Sequence, residues 1–343
     1  NRLGLVEVGP ESAGSLPGPA CYGHGGYQPT VSDACLLPGY LNPRGLLDGD
    51  FPLDKQAASD AISAAIAKPQ SIDVRTAAEA IYRVVIENMA NAARIHVLEH
   101  GLDPREFAVI VCGGAGPMHA VALAESLGSH DILIMPHAGV GAAIGLLEAP
   151  VTARASRSRL QALGDVKWNV VGTLINEMQQ ELVKDLGTDC FDSLEFNVTC
   201  DMRYKGQGHE ISVPIPFPLP EEGAKKTLSE AFSEAYKMLY GRTNPDGRPE
   251  VVSWRLEARG PRPSLAVRKS DPLGSSGPAR KFRQGTFAGS VMDIPVLRRG
   301  QLDPDTRVFG PALVEERETT TVIPPEAEFW EDQFGNLRIR IRD

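Results

Sequence analysis

Residues 1–150 are predicted to form an α/β domain with neighbouring parallel strands, and residues 151–343 a β-rich α+β domain. Three observations carry this: a strand, glycine turn, helix and strand in series at 107–135, a long helical stripe just before it, and alternating strand text after residue 194.

Asn1 stands where Met would open a chain, and residues 3–8 (LGLVEV) read as a strand with no visible beginning to its domain, so the chain is expected to be a cut or split gene product. Residues 9–26 (GPESAGSLPGPACYGHGG) are too rich in Gly and Pro for a long helix and read as an ordered loop, either a surface cover or a ligand contact. Residues 54–67 and 76–100 read as helices, the second with Ile81, Val85, Met89, Ala92 and Ile95 as its core stripe. Gly101 caps that helix, and Asp103-Pro104 makes the turn into a buried-type strand at 107–112 (FAVIVC).

After Gly113-Gly-Ala-Gly116 comes a helix at 118–127, with Pro117 in its first turn where a missing N–H does no harm, and then a strand at 131–135. This βαβ series implies parallel neighbouring strands. Beyond residue 150, helices are expected near 170–186 and 221–240, and strands within 194–215, at 251–259 and beyond 286. Residues 262–284 read as an exposed connection.

The 343 residues, 42% hydrophobic and 23% charged, have the balance of a globular protein of about two domains. A net charge of −9 opposes nucleic-acid binding, which needs a concentrated excess of Lys and Arg. No apolar run approaches the ~18 to 20 residues of a membrane span, and there is no signal-peptide core, so a cytoplasmic protein is expected. The five cysteines (21, 35, 112, 190, 200) form no CxxC pair, and reduced structural thiols are the expectation.

The sharpest local signal is Gly113-Gly-Ala-Gly-Pro-Met-His119 between strand and helix. A turn nearly free of side chains admits a flat or charged ligand to the backbone, and the N–H groups of a helix start attract phosphate. A nucleotide is the natural guest, and a plain tight βα turn is the competing reading. The segment is neither a P-loop nor the GxGxxG of dinucleotide folds. His119 follows the turn, where contact with a ligand and helix packing both stay open. His96 and His100 share a helical face but have no accompanying carboxylate, and no metal is expected. Ser12 in GPESAG is not a nucleophile elbow, and Cys21 has no adjacent cation to activate it.

Six ordered blocks cover nearly the full chain: VGPESAGSLPGPACYGHGG at 8–26, PTVSDACLLPGYLNP at 29–43, GLDPREFAVIVCGGAGPMHAVALAE at 101–125, PHAGVGAAIGLL at 136–147, DMRYKGQGHEISVPIP at 201–216 and GPALVEERETTTVIPP at 310–325. On these the chain resembles the hydantoinase A/5-oxoprolinase family, which includes related subunits of acetone and acetophenone carboxylases. The resemblance implies the second half of an actin-like (sugar kinase/Hsp70-type) ATPase domain, with ATP lying between two halves. It implies ATP and Mg²⁺ as cofactors, used to phosphorylate a lactam, imide or enolate oxygen before ring opening or carboxylation. Gly113, Gly114, Ala115 and Gly116, with His119, resemble the adenosine-contacting side. Asp33 is the one carboxylate placed near the cleft as a weak catalytic candidate, with turn capping as its alternative.

The family's Asp-Gly-Gly-Thr type phosphate hairpin has no counterpart in these residues, so the isolated chain is expected not to hydrolyse ATP unaided. Implied partners are the missing amino-terminal half of the actin-like domain, a hydantoinase B-like subunit for which the part after residue 150 is a candidate docking surface, and a small cyclic amide. His24, Cys35 and Gly208-His209 depart from the family pattern and leave the substrate open. Two further readings stand beside the hydrolase: a subunit of an ATP-dependent ketone carboxylase, and a non-catalytic nucleotide-binding or assembly module. A metal-dependent amidase would need a His/Asp/Lys ligand cluster, and the sequence has none.

Overall fold

The computed structural model describes residues 4–187, 193–216, 223–263, 281–300, 302 and 305–342. Along the chain, α1 (Val31–Leu36) follows the glycine-rich loop, and α2 (Lys55–Ile62) runs through a π-helical turn into α3 (Lys68–Gln70). Ser71, left-handed at φ 55°, breaks the path, and Asp73 then caps α4 (Val74–Glu99) by accepting from the N–H of Arg75 and Thr76. Then come β1 (Val109–Val111), α5 (Gly116–Leu127), β2 (Asp131–Ile134) and α6 (Gly141–Glu148). β1 and β2 are parallel, with Ile110 opposite Leu133, as the βαβ pattern requires.

A second group follows: β3 (Thr152–Ala162), α7 (Trp168–Leu186), β4 (Glu195–Tyr204), β5 (Ile211–Ile215), α8 (Ala224–Tyr240) and β6 (Pro249–Arg259). Its sheet has the order β3-β6-β4-β5, and Val171, Ile175, Leu228, Phe232 and Trp254 close one core. The last stretch holds β7 (Lys281–Phe287), β8 (Ser290–Arg298), β9 (Val308–Phe309), β10 (Ala312–Glu315), β11 (Thr320–Ile323), β12 (Ala327–Glu331) and β13 (Leu337–Ile341).

The chain is thus a mixed α/β fold with several sheets, but its compact units do not follow a division at residue 150. Residues 1–145 and 266–343 form one unit, and 146–265 the other. The cause is strand pairing: β13 lies antiparallel beside β2, giving a five-stranded sheet of order β1-β2-β13-β12-β9. β13 alternates Leu337 and Ile339 inward with Arg338 and Arg340 outward, so its apolar row joins Val111, Val121 and Ile134 in one core. Strands β7, β8, β10 and β11 form a further sheet of the same unit, and Phe287, Ile294, Leu313 and Val322 pack with Cys35 and Leu36.

Several expectations need correction. Residues 4–8 form no strand. Of the expected connection at 262–284, residues 264–280 lie outside the described residues, and 281–284 belong to β7. The stripe of α4 is Ala77, Ala78, Ile81, Ile86 and Ala90, whereas Ile95 is exposed, because the helix outruns the elements that cover it. The strand after it is not buried throughout, since Ile110 faces out. No helix among the described residues is long and apolar enough to cross a membrane.

Candidate functional site

The glycine turn joins β1 to α5. Gly113, at φ 96°, lies in the left-handed region and donates its N–H to the Ala138 carbonyl at 2.6 Å, fastening the turn to the one after β2. A Cβ at Gly116 would stand 2.9 Å from Val111 Cγ1, so the helix starts this close to its strand only because that position has no side chain. Cys112, Gly113, Gly114 and Ala115 are exposed, and among the described residues no backbone acceptor takes the N–H of Gly114, Ala115 or Gly116. These are the free donors of a helix start.

Opposite stands the 315–320 segment of the β10–β11 hairpin. Thr319 Oγ1 donates to the Gly114 carbonyl at 2.7 Å, and a Cβ at Gly139 would come 2.5 Å from Glu318 Cβ. Two largely buried ion pairs brace the segment, Glu315–Arg283 at 2.5 Å and Glu316–Arg299 at 3.4 Å. Burial pushes the Glu316 carboxyl up, against the pull of Arg299, whose guanidinium also donates to the carbonyls of Ile134 (2.6 Å) and Gly335 (2.8 Å).

Between turn and hairpin opens a cleft of about 450 Å³. Gly114, Ala115, Met118, Leu41, Tyr22 and Phe51 give it an apolar wall, with Tyr22 and Phe51 edge to face at 4.9 Å, while Asn42 and Thr319 supply neutral polar groups. Its lining carries Asp48, Glu315, Glu316 and Glu318 with Arg317, and the first three carboxylates are each paired with an arginine outside the lining. The Asp48 carboxylate is bound to Arg298 at 2.6 Å, and that hydrogen bond holds its pKa below the usual carboxylate range. The donor set therefore fits a flat, uncharged body such as a nucleoside against the glycine turn; for a polyphosphate tail the cleft has no lysine and only Arg317, itself 3.6 Å from Asp50.

The sequence candidates separate here. Gly114 and Ala115 line the cleft, and Gly113 and Gly116 shape its turn. His119 does not line it: the ring is buried, lies 5.3 Å from the Tyr82 ring, and desolvation lowers its pKa to about 4. Asp33 is also buried, and its carboxylate accepts from the N–H of Ala20 (3.3 Å), Cys21 (2.7 Å) and Thr30 (2.8 Å) and from Thr30 Oγ1 (2.8 Å). Together with the Asp33 N–H bond to Thr30 Oγ1 this is a capping box that ties the glycine-rich loop to α1, so the capping alternative describes Asp33. Burial raises the Cys21 thiol and pushes Cys35 up to about 12, while His24 packs its ring edge-on to Phe51 at 5.6 Å. His96 and His100 meet edge to face at 4.8 Å, and no group of three or more metal-ligating side chains occurs among the described residues. Sequence reasoning missed Glu318, Thr319, Tyr22 and Phe51 as cleft residues; Thr319 sits inside the 310–325 block, where nothing local shows that the segment folds back some 200 residues onto Gly114 (a separation of 205).

Comparison with known proteins decides the family. The hydantoinase/oxoprolinase model matches residues 1–155, and the hydantoinase/oxoprolinase C-terminal domain model matches 162–340. The chain belongs to the hydantoinase/oxoprolinase family. Within it, the chain is 32% identical to caprolactamase subunit alpha of Pseudomonas jessenii over 336 residues, 94% of this chain and 48% of that one. The solved structure of ATP-dependent caprolactamase from the same organism matches with a TM-score of 0.74 at 31% identity, covering 100% of this chain and 51% of that chain. The nucleotide-free structure of acetone carboxylase, from work on ATP-dependent acetone carboxylation, matches with a TM-score of 0.81 at 25% identity, covering 98% and 50%. The chain spans about half the length of these hydantoinase/oxoprolinase relatives.

Proposed function

We propose that this chain supplies the adenosine side of an ATP site in an actin-like ATPase, as a component of an ATP-dependent hydrolase that opens a cyclic amide. The observation that carries the reading is the open turn at Gly114 and Ala115, which lines an apolar cleft of nucleoside size with almost no side chain and whose N–H groups have no backbone acceptor among the described residues. ATP with Mg²⁺ would supply phosphorylation of a lactam or imide oxygen. This chain's own share is to seat the nucleoside against Gly114, Ala115 and Met118, with the braced 315–320 segment closing the far wall. Phosphate contacts fall to the missing amino-terminal half and the ring-opening step to a hydantoinase B-like partner, in keeping with a cleft lining that has no lysine and only Arg317.

The similarity to acetone carboxylase supports a second reading in which the same nucleotide site serves a ketone carboxylase subunit. Calorimetric titration with adenosine and Mg-ATP tests the shared step. Weak adenosine binding is expected, tightening for Mg-ATP when the complementary half is added. Gly114→Val, which fills the cleft at a position without positive φ, should weaken adenosine by roughly tenfold or more at unchanged thermal stability. Absence of binding by either ligand in both settings would leave the non-catalytic assembly module as the better account.

A further inference from the structure

A second pocket, of about 420 Å³, lies between α4, α5 and the β7–β8 hairpin, and every residue lining it belongs to the unit of residues 1–145 and 266–343. It is distinct from the cleft at the glycine turn, sharing only Met118 with that cleft's lining among the described residues. Its walls are aromatic: Tyr40 meets Tyr82 edge to face at 5.6 Å and lies 5.5 Å from Phe287. Both phenol hydroxyls are already spent, Tyr40 donating to the Thr286 carbonyl at 3.0 Å and Tyr82 to that of Met118 at 3.1 Å. The rings therefore offer a guest their π-systems rather than a hydrogen-bond donor.

One end of the pocket is acidic. Glu87 of α4 accepts there from Ser126 Oγ at 3.0 Å, and Glu125 stands next to that serine on α5. Among the described residues, the carboxylates of Glu125 and Glu326 have no hydrogen bond or ion pair. Partial burial, and then the charge of Glu326 beside it, push the Glu125 carboxyl up, so the two acids repel and leave a counter-charge to be supplied. The pocket's own cations do not supply it: Arg83 is bound to Glu79 at 2.6 Å, and Arg75 stands about three helical turns before Glu87, roughly 18 Å along the axis. Thr286, only 9% exposed, lines the same pocket, and its hydroxyl has no hydrogen-bond partner among the described residues. A buried hydroxyl left unpaired is rare in a folded protein, and a guest with a polar atom would pair it. An aromatic wall with two unpaired carboxylates at its rim is the chemistry that holds an ammonium group on an apolar body. An anion would be repelled by the acids, and a neutral guest would leave them unbalanced.

We propose that this pocket binds a small organic cation, with a primary ammonium between Glu125 and Glu326 and a short apolar body along Tyr40, Tyr82 and Phe287. The inference is independent of the nucleotide reading, so a failed adenosine titration leaves it standing. The test is calorimetric titration of the purified chain at neutral pH with hexylammonium, 1-hexanol and hexanoate, which share a body and differ in charge. Hexylammonium is expected to bind about tenfold or more tighter than 1-hexanol, and hexanoate more weakly than either. The double variant Glu125→Gln/Glu326→Gln changes two exposed positions and should keep the thermal midpoint. It should bring hexylammonium down to the level of 1-hexanol and leave 1-hexanol itself unchanged. Glu234→Gln, at an exposed site on α8, should alter neither. Equal binding of hexylammonium and 1-hexanol, no binding of hexylammonium, or an unaltered hexylammonium affinity in the double variant would each overturn the proposal.

Discussion

His119 was read from the sequence as a residue that touches a ligand or packs a helix, and its surroundings decide for packing. Nδ1 has no hydrogen-bond partner among the described residues, the ring packs at a tilt against Tyr82, and burial lowers its pKa from the ordinary 6.5 to about 4. The folded protein therefore holds it neutral at pH values where the unfolded chain already binds a proton. The sign follows: the neutral ring's contribution is fully present above about pH 6.5 and is lost as pH falls toward 4, with a limit on the order of 3 kcal/mol. His119→Phe keeps an aromatic ring beside Tyr82 and removes the proton site. Urea midpoints measured between pH 7 and 4 should fall more steeply for the wild type than for the variant. Parallel curves would show that His119 does not titrate across this range.

Among the elements, the glycine turn and the hairpin that meets it set the geometry of the cleft, and Gly139 measures how tightly they fit. A methyl group there would meet Glu318 Cβ at 2.5 Å and the Glu318 carbonyl oxygen at 3.0 Å, so either turn or hairpin must move. Gly139→Ala is expected to cost roughly 1–3 kcal/mol and to weaken any nucleoside held between the two. Gly145→Ala, in α6 with nothing within 4 Å, is the control and should be neutral or stabilise by about 0.5–1 kcal/mol. Thermal melts of the two variants would separate them, and equal loss from both would refute the fit described here.

The same elements show what sequence could and could not tell. The βαβ unit was legible because its signals are local: an apolar run, glycines, Pro117 at the helix start, and an apolar run again. The limits of α4, α5, α7 and β6 came out within a few residues for the same reason. Strand β3 was missed, since its exposed face carries Arg154, Ser156 and Ser158 and its text lacks an apolar run; α6 was missed as a helix because its Gly and Ala residues lack a polar face to mark the period. The partner of β2 was also invisible, because the pairing of Leu337 with Ile134 spans two hundred residues and no local pattern encodes it. At the candidate cleft, Gly114 and Ala115 stand out in the sequence by their composition, while the hairpin wall opposite them depends on that same long-range closure.

At the scale of the whole molecule, the closure makes a prediction that a boundary at residue 150 would contradict. A fragment of residues 1–150 keeps β1, β2, α4 and α5 but loses β13 from beside β2, and with it Phe329, Leu337 and Ile339 from the core around Ile134. It also loses Phe287, Ile294, Leu313 and Val322 from the core around Cys35 and Leu36. Removing seven largely buried side chains at ~1.5–3 kcal/mol each costs as much as or more than the ~5–15 kcal/mol that holds a typical domain folded, even before the loss of sheet hydrogen bonds. The fragment is therefore expected to show no cooperative melt. Residues 146–265 carry their own sheet and a core built on Trp254 and Phe232, braced across β4 and β6 by Asp201, which accepts from Ser253 Oγ at 2.5 Å and Arg255 Nε at 2.6 Å. That segment should unfold in one cooperative transition by itself, and Asp201→Ala should lower its midpoint by stranding the serine and arginine donors. Circular dichroism melts of both fragments decide the matter: a cooperative transition in 1–150 would mean that its α/β elements form a domain without the final strands, and the closure through β13 would then be an accessory to the fold rather than its core.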